Sequence, residues 1–174
     1  MPKVSKFFLY AYCFIHNIRK GVLFGSDISD HWPTLFDETC RIKPKLILEL
    51  GVRKGESTRV LAEAAKKNNS VLVSVDINDC SNAAKYDKWF FVKMDDIMFA
   101  ARFKNWCKEK NLRPNVDVLF IDTAHTFEHT KKEINAWFPF LSEKSVVMFH
   151  DTNSKIIYKR LDGSLGVGND YDRG

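Results

Sequence analysis

The chain lacks the marks of several large protein classes. None of its four cysteines (Cys13, Cys40, Cys80 and Cys107) has a partner at C-x-x-C spacing, which removes the sequence case for a zinc knuckle or a redox dithiol. Scattered thiols in a chain of this size read as reduced and cytoplasmic. No dense basic run occurs, and 27 Lys and Arg against 22 Asp and Glu leave a net charge of only +5. That describes a mildly basic surface, and no nucleic-acid partner is expected. No transmembrane segment is expected either. The apolar N-terminal run "FFLYAYCFI" is about nine residues, too short to cross a bilayer, and no small-x-small cleavage site follows it. It is read as a packed N-terminal helix, a shallow membrane-surface helix, or a homo-oligomer interface, because its apolar residues would cover every side of a helix.

What is present is an ordinary globular composition, 45% hydrophobic and 28% charged over 174 residues, enough for one domain with a real core. From residue 45 the chain alternates short apolar runs with helical periodicity. "KLILELG" (45–51) precedes a helix with Val60, Leu61 and Ala64 on one stripe. "SVLVSVD" (70–76) and "KWFFVKMDD" (88–96) follow, then a helix with Phe99, Phe103, Trp106 and Cys107 in step. "NVDVLFID" (115–122) leads to a helix expected to bury Phe127, Ile134, Trp137, Phe138 and Leu141, and "SVVMFHD" (145–151) closes the series. Strand-length apolar runs separated by helices predict an α/β, Rossmann-like, doubly wound and mostly parallel sheet of at least five strands, with helices on both faces. The expected organisation is an N-terminal helical segment over 1–43, a core over 44–153, and a Gly-rich loop without further strands over 154–174.

Four of the five strands end in an acid: Glu49 beside Gly51, Asp76, Asp122 and Asp151. In an open parallel sheet those ends form the ligand crevice. "ELGVRKGEST" puts Gly51 and Gly55 in the first strand–helix turn, where backbone approaches a ligand closely or takes positive φ, before a helix N-terminus with free N–H groups. Asp76 follows at the distance where a carboxylate accepts hydrogen bonds from ribose hydroxyls. A pyrophosphate would call for G-x-G-x-x-G. Here Glu49 stands two residues before the first glycine, which disfavours NAD and suits a cofactor with a cationic amino group.

These motifs resemble the class I S-adenosylmethionine-dependent methyltransferases, in particular the small-molecule O-methyltransferases of the macrocin and cephalosporin-hydroxylase-like kind, relatives of catechol O-methyltransferase. "ILELGVRKGEST", "SVDI", "VDVLFIDTAHTFE" and "SVVMFHDT" carry the likeness, from about Pro44 to Asn153. The resemblance implies that Glu49, Gly51 and Ser57 line the methionine part of S-adenosylmethionine, with Gly55 in the same cofactor-binding turn, that Asp76 binds its ribose, and that Asp95 and Asp96 sit against adenine. The two last acids also suit a helix N-cap and first turn. Asp122 and Asp151 are placed side by side, a pair that suits Mg²⁺ holding a substrate hydroxyl. The third ligand of metal-dependent relatives would be Thr152, where an Asn or Asp is usual. His125 is a general base or an orienting group, and His150 has a supporting role. The family's sheet continues for two more strands and a helix that this chain does not supply, so a cofactor-binding protein without turnover is the alternative. His31 and Trp32 are read as ordinary packing ahead of the first strand, or as a lid.

"HTFEH" matches the H-x-x-E-H spacing of inverted zincins through His125, Glu128 and His129. The zincin site needs both histidines on one helix. The helix here is expected to begin near Thr126, leaving His125 ahead of it and His129 on the outward face with Lys132 and Ala136.

Overall fold

The computed structural model describes residues 28–124, 126–150, 156–159 and 165–168. The expectations for the N-terminal apolar run, and for His125, Asp151 and Thr152, fall outside these residues.

Helix α1 (Trp32–Arg41) leads into strand β1 (Leu46–Leu50), followed by α2 (Glu56–Asn68), β2 (Val71–Asp76), β3 (Trp89–Lys93), α3 (Asp96–Glu109), β4 (Val116–Ile121), α4 (Phe127–Trp137) and β5 (Leu141–Phe149). The five strands form one sheet in the order β3-β2-β1-β4-β5, and every neighbouring pair is parallel. Chain order reverses between β1 and β4, which opens a crevice at their carboxyl ends.

Strand alternation divides the core into two layers. Ile47, Leu72, Val118 and Phe120 face α1 and α2, where they meet Trp32, Phe36, Val60 and Leu61. Leu48, Leu50, Val73, Val75 and Leu119 face the other way, against Phe99 and Phe103 of α3 and Trp137 of α4. Both layers are apolar because both sheet faces are covered, which is why the strands read as nearly unbroken hydrophobic runs. Trp32 is part of the packed core, as ordinary packing predicts. Among the described residues no helix is long and apolar enough to cross a membrane.

Two expectations are corrected. Residues after Asp151 are not all loop: β6 (Ile156–Lys159) and β7 (Leu165–Gly168) pair antiparallel with each other. Four-residue strands are too short to show a period. The buried face of α4 is also different. Phe127 is 75% exposed and Phe138 41%, while Glu133 and Trp137 are fully buried, and Leu141 begins β5. The helix packs on α3 through Trp137 against Phe99 and Phe103, and this phase carries Glu133 inward one turn earlier.

Candidate functional site

The carboxyl ends of β1, β2 and β4, with the turn after β3, surround a cavity of about 540 Å³ lined by Gly51, Asp76, Asp95, Asp96, Asp122 and His129 among others. Its size is that of a small-molecule or cofactor site.

The first turn is closed by close backbone packing. Gly51 has φ +87, and a Cβ there would lie 1.9 Å from the Asp122 carbonyl oxygen. Gly51 N donates to Val75 O, and Asp122 N donates to Leu50 O, which ties the end of β1 to β2 on one side and to β4 on the other. Gly55, φ +73, is the N-cap of α2, and its missing Cβ leaves room for Ala83 of the β2–β3 connection.

Asp76 holds this turn from β2. Its Oδ2 accepts from Val52 N at 2.8 Å and Arg53 N at 3.0 Å, and its Oδ1 accepts from Asn78 N at 2.8 Å. Burial alone would raise its pKa, but the backbone donors of Arg53, Asn78 and Val52 outweigh that and hold it below the ordinary value. It remains an ionised acceptor and lines the cavity.

Glu49 is set apart from the cavity wall. It lies in β1 on the face covered by α1 and α2, fully buried. Ser57 Oγ donates to its Oε1 and Ser74 Oγ to its Oε2, both at 2.6 Å. Burial pushes its pKa up to about 7, against these hydroxyls, and the Asp122 charge adds to the rise. Glu49 and Ser57 therefore link β1 to the first turn of α2, beneath the glycine turn.

Asp95 is the N-cap of α3, its Oδ1 accepting from Met98 N at 2.9 Å, and Asp96 occupies the first turn. Both also line the cavity. Asp96 is buried and turns toward α4, with its Oδ1 3.4 Å from His129 Nε2. The outward placement expected for His129 is thus overturned: Trp137 docks α4 on α3 and rotates His129 to the cavity side. Asp122 follows β4, and the buried His150 places Nδ1 3.2 Å from its Oδ1, in keeping with a supporting role. His31 sets its ring edge-on to His150, centroids 5.7 Å apart. Sequence reasoning missed Thr123, His129 and Glu133, which cluster beside Asp96. Cys80 and Cys107 are free thiols, and burial pushes each up to about 11, so neither is an activated nucleophile.

The family model described as a methyltransferase domain matches residues 48–152. No curated protein matches the chain by sequence. Among solved structures, the chain is similar to the apo form of CalS11, a TDP-rhamnose 3'-O-methyltransferase of calicheamicin biosynthesis, with TM-score 0.55 and 13% identity over 97% of this chain and 94% of that one. It is similar to a caffeoyl-CoA O-methyltransferase-like protein from Staphylococcus aureus, TM-score 0.57, 14% identical, over 82% of this chain and 66% of that one. A third likeness is the SAH-bound Podospora anserina methyltransferase PaMTH1, TM-score 0.51, 16% identical, over 87% and 72% of the two chains. At these identities the likeness is one of fold.

Proposed function

The chain belongs to the methyltransferase-domain family, and from that premise we propose that it moves a methyl group from S-adenosylmethionine to a hydroxyl of a small molecule. The observation that carries the reading is the meeting of the Gly51 turn and Asp76 in one cavity at the strand switch point. The donor set fits the cofactor. An ionised Asp76 accepts ribose hydroxyls, Gly51 lets backbone approach the amino-acid portion, and Asp95 with Met94 faces the adenine end. Bound there, the cofactor supplies an electrophilic sulfonium methyl.

The chain's own residues bind and orient. Glu49 and Ser57 keep the glycine turn seated. Asp122, in contact with His150, lines the same cavity, and His125, three residues on, is the candidate base that removes the hydroxyl proton. Divalent-cation assistance belongs to the same proposal: Asp122, Asp151 and Thr152 offer oxygen donors of the kind Mg²⁺ takes, and a cation there would lower the hydroxyl pKa. Sugar hydroxyls are the first acceptor class to test, since CalS11 acts on a TDP-sugar.

Calorimetry with S-adenosylhomocysteine tests the cofactor. Wild type is expected to bind one equivalent, and Asp76→Ala to weaken binding by roughly 10–100-fold, the worth of hydrogen bonds to a charged group. Absence of saturable binding by wild type overturns the reading.

A further inference from the structure

The cavity has an acidic corner where α3 meets α4. Asp96 on α3 and His129 and Glu133 on α4 each offer a ligand atom, and these atoms lie within 4.8 Å of one another. Asp96 and Glu133 are both more than nine-tenths buried. Among the described residues, Asp96 Oδ2 and Glu133 Oε2 have no hydrogen-bond partner. Buried polar atoms are nearly always satisfied, and two carboxyls side by side leave a deficit of positive charge. Thr123 Oγ1 donates to Glu133 Oε1 at 2.6 Å, which fixes that carboxyl and leaves Oε2 open. His129 Nε2 lies 3.4 Å from Asp96 Oδ1 and 3.7 Å from Glu133 Oε1.

We propose that Asp96, His129 and Glu133 form a binding site for a divalent transition cation of the zinc class, joining α3 to α4 beside the cavity. One imidazole and two carboxylates suit Zn²⁺ or Co²⁺, which accept mixed nitrogen and oxygen ligands and keep a fourth position for water. Mg²⁺ and Ca²⁺ favour oxygen alone. Asp96 and His129 both line the cavity, so an ion has a path to the site. Asp122 is not among its ligands, and the site does not depend on the methyl-transfer reading.

The test is titration of chelator-treated full-length protein with Co²⁺, followed by visible absorption, and with Zn²⁺, followed by calorimetry and thermal melting. Wild type is expected to take up one equivalent of Co²⁺ at this site with the intense visible bands of a low-coordinate ion, and to melt higher with Zn²⁺. His129→Ala and Glu133→Gln each abolish both effects, Asp122→Asn retains them, and Thr123→Val weakens affinity by roughly 10–100-fold, as loss of a partner behind a metal ligand does. Glu133→Gln is close in shape and neutral at every pH, so it is the variant that folds if His129→Ala does not. Absence of the Co²⁺ bands in wild type overturns the proposal, leaving Asp96 and Glu133 as a proton-sharing pair. Binding that survives both variants, or is lost in Asp122→Asn, also overturns it.

Discussion

Replacing Glu49 by glutamine isolates the energetic cost of the acid beneath the glycine turn. The Glu49 carboxyl titrates near 7 in the folded protein against an ordinary 4.5. Because the folded value is the higher one, the folded state holds this proton through the window in which the unfolded chain has released it. Stability therefore falls as pH rises from about 4.5 to about 7, and the penalty is complete above that. A difference of 7 minus 4.5 corresponds to roughly 3 kcal/mol at about 1.4 kcal/mol per unit. Glutamine keeps the shape. Its oxygen can accept from Ser74, whose Oγ also accepts from Trp89 Nε1, while its amide donates to Ser57 Oγ, a hydroxyl that serves in either sense. Rearranging those bonds costs about 1 kcal/mol, and that cost does not vary with pH. Urea denaturation at pH 5, 6, 7 and 8 reads both quantities. Relative to wild type, Glu49→Gln is expected to gain roughly 2–3 kcal/mol between pH 5 and pH 8, from slightly less stable to clearly more stable, because at pH 5 the unfolded carboxyl is already mostly ionised. Glu133 titrates in an overlapping range, but it lies on the opposite face of the sheet and cancels in the difference. A wild-type-minus-variant difference that stays flat within about 0.5 kcal/mol across the range refutes the reasoning.

Other substitutions probe the frame. Gly51→Ala must place a Cβ against the Asp122 carbonyl at positive φ; a loss of at least about 1–3 kcal/mol in urea denaturation is expected, and a change under about 0.5 kcal/mol contradicts it. Trp137→Ala empties a site enclosed by Phe99, Phe103 and Phe140, with an expected loss of about 3–5 kcal/mol in the same assay. Phe127→Ala, at an exposed position, is expected to stay within about 0.5 kcal/mol of wild type, and a loss of core size would mean that the ring is packed.

Much of the frame was legible because a doubly wound sheet writes itself as unbroken apolar runs: four strands lie within those runs, and β5 begins four residues ahead of its run, at Leu141. The stripes Val60, Leu61, Ala64 and Phe99, Phe103, Cys107 are likewise the buried faces of α2 and α3. Helix α4 was misread for a physical reason. Hydrophobic periodicity counts a carboxylate as polar and a phenylalanine as apolar, yet here Glu133 is buried and Phe127 exposed. One inverted pair is enough to rotate the inferred face, and His129 moved with it from solvent to the cavity. The bonds from Val52 N and Arg53 N to Asp76 were beyond reach for another reason: they join residues far apart in the chain, and only strand order brings them together.

The crevice acids also answer how one sheet end can hold so many carboxyls. Like charges repel strongly at low dielectric, so a row of equal, fully charged groups would strain the fold. They are not equal. Backbone N–H groups hold Asp76 ionised, whereas Glu49 and Glu133 are buried and pushed up to about 7 and about 8. Near neutral pH those two carry less than their full charge unless a cation compensates them. Asp76 is thereby left as the permanent acceptor, suited to hydroxyl donors of a ligand. Glu133 is the acid whose ionisation a bound metal would restore. The acids around this sheet end, two from strands and one from α4, thus differ in character, and the difference lies in the donors the fold brings to each: three amides for Asp76, two serine hydroxyls for Glu49, one threonine for Glu133.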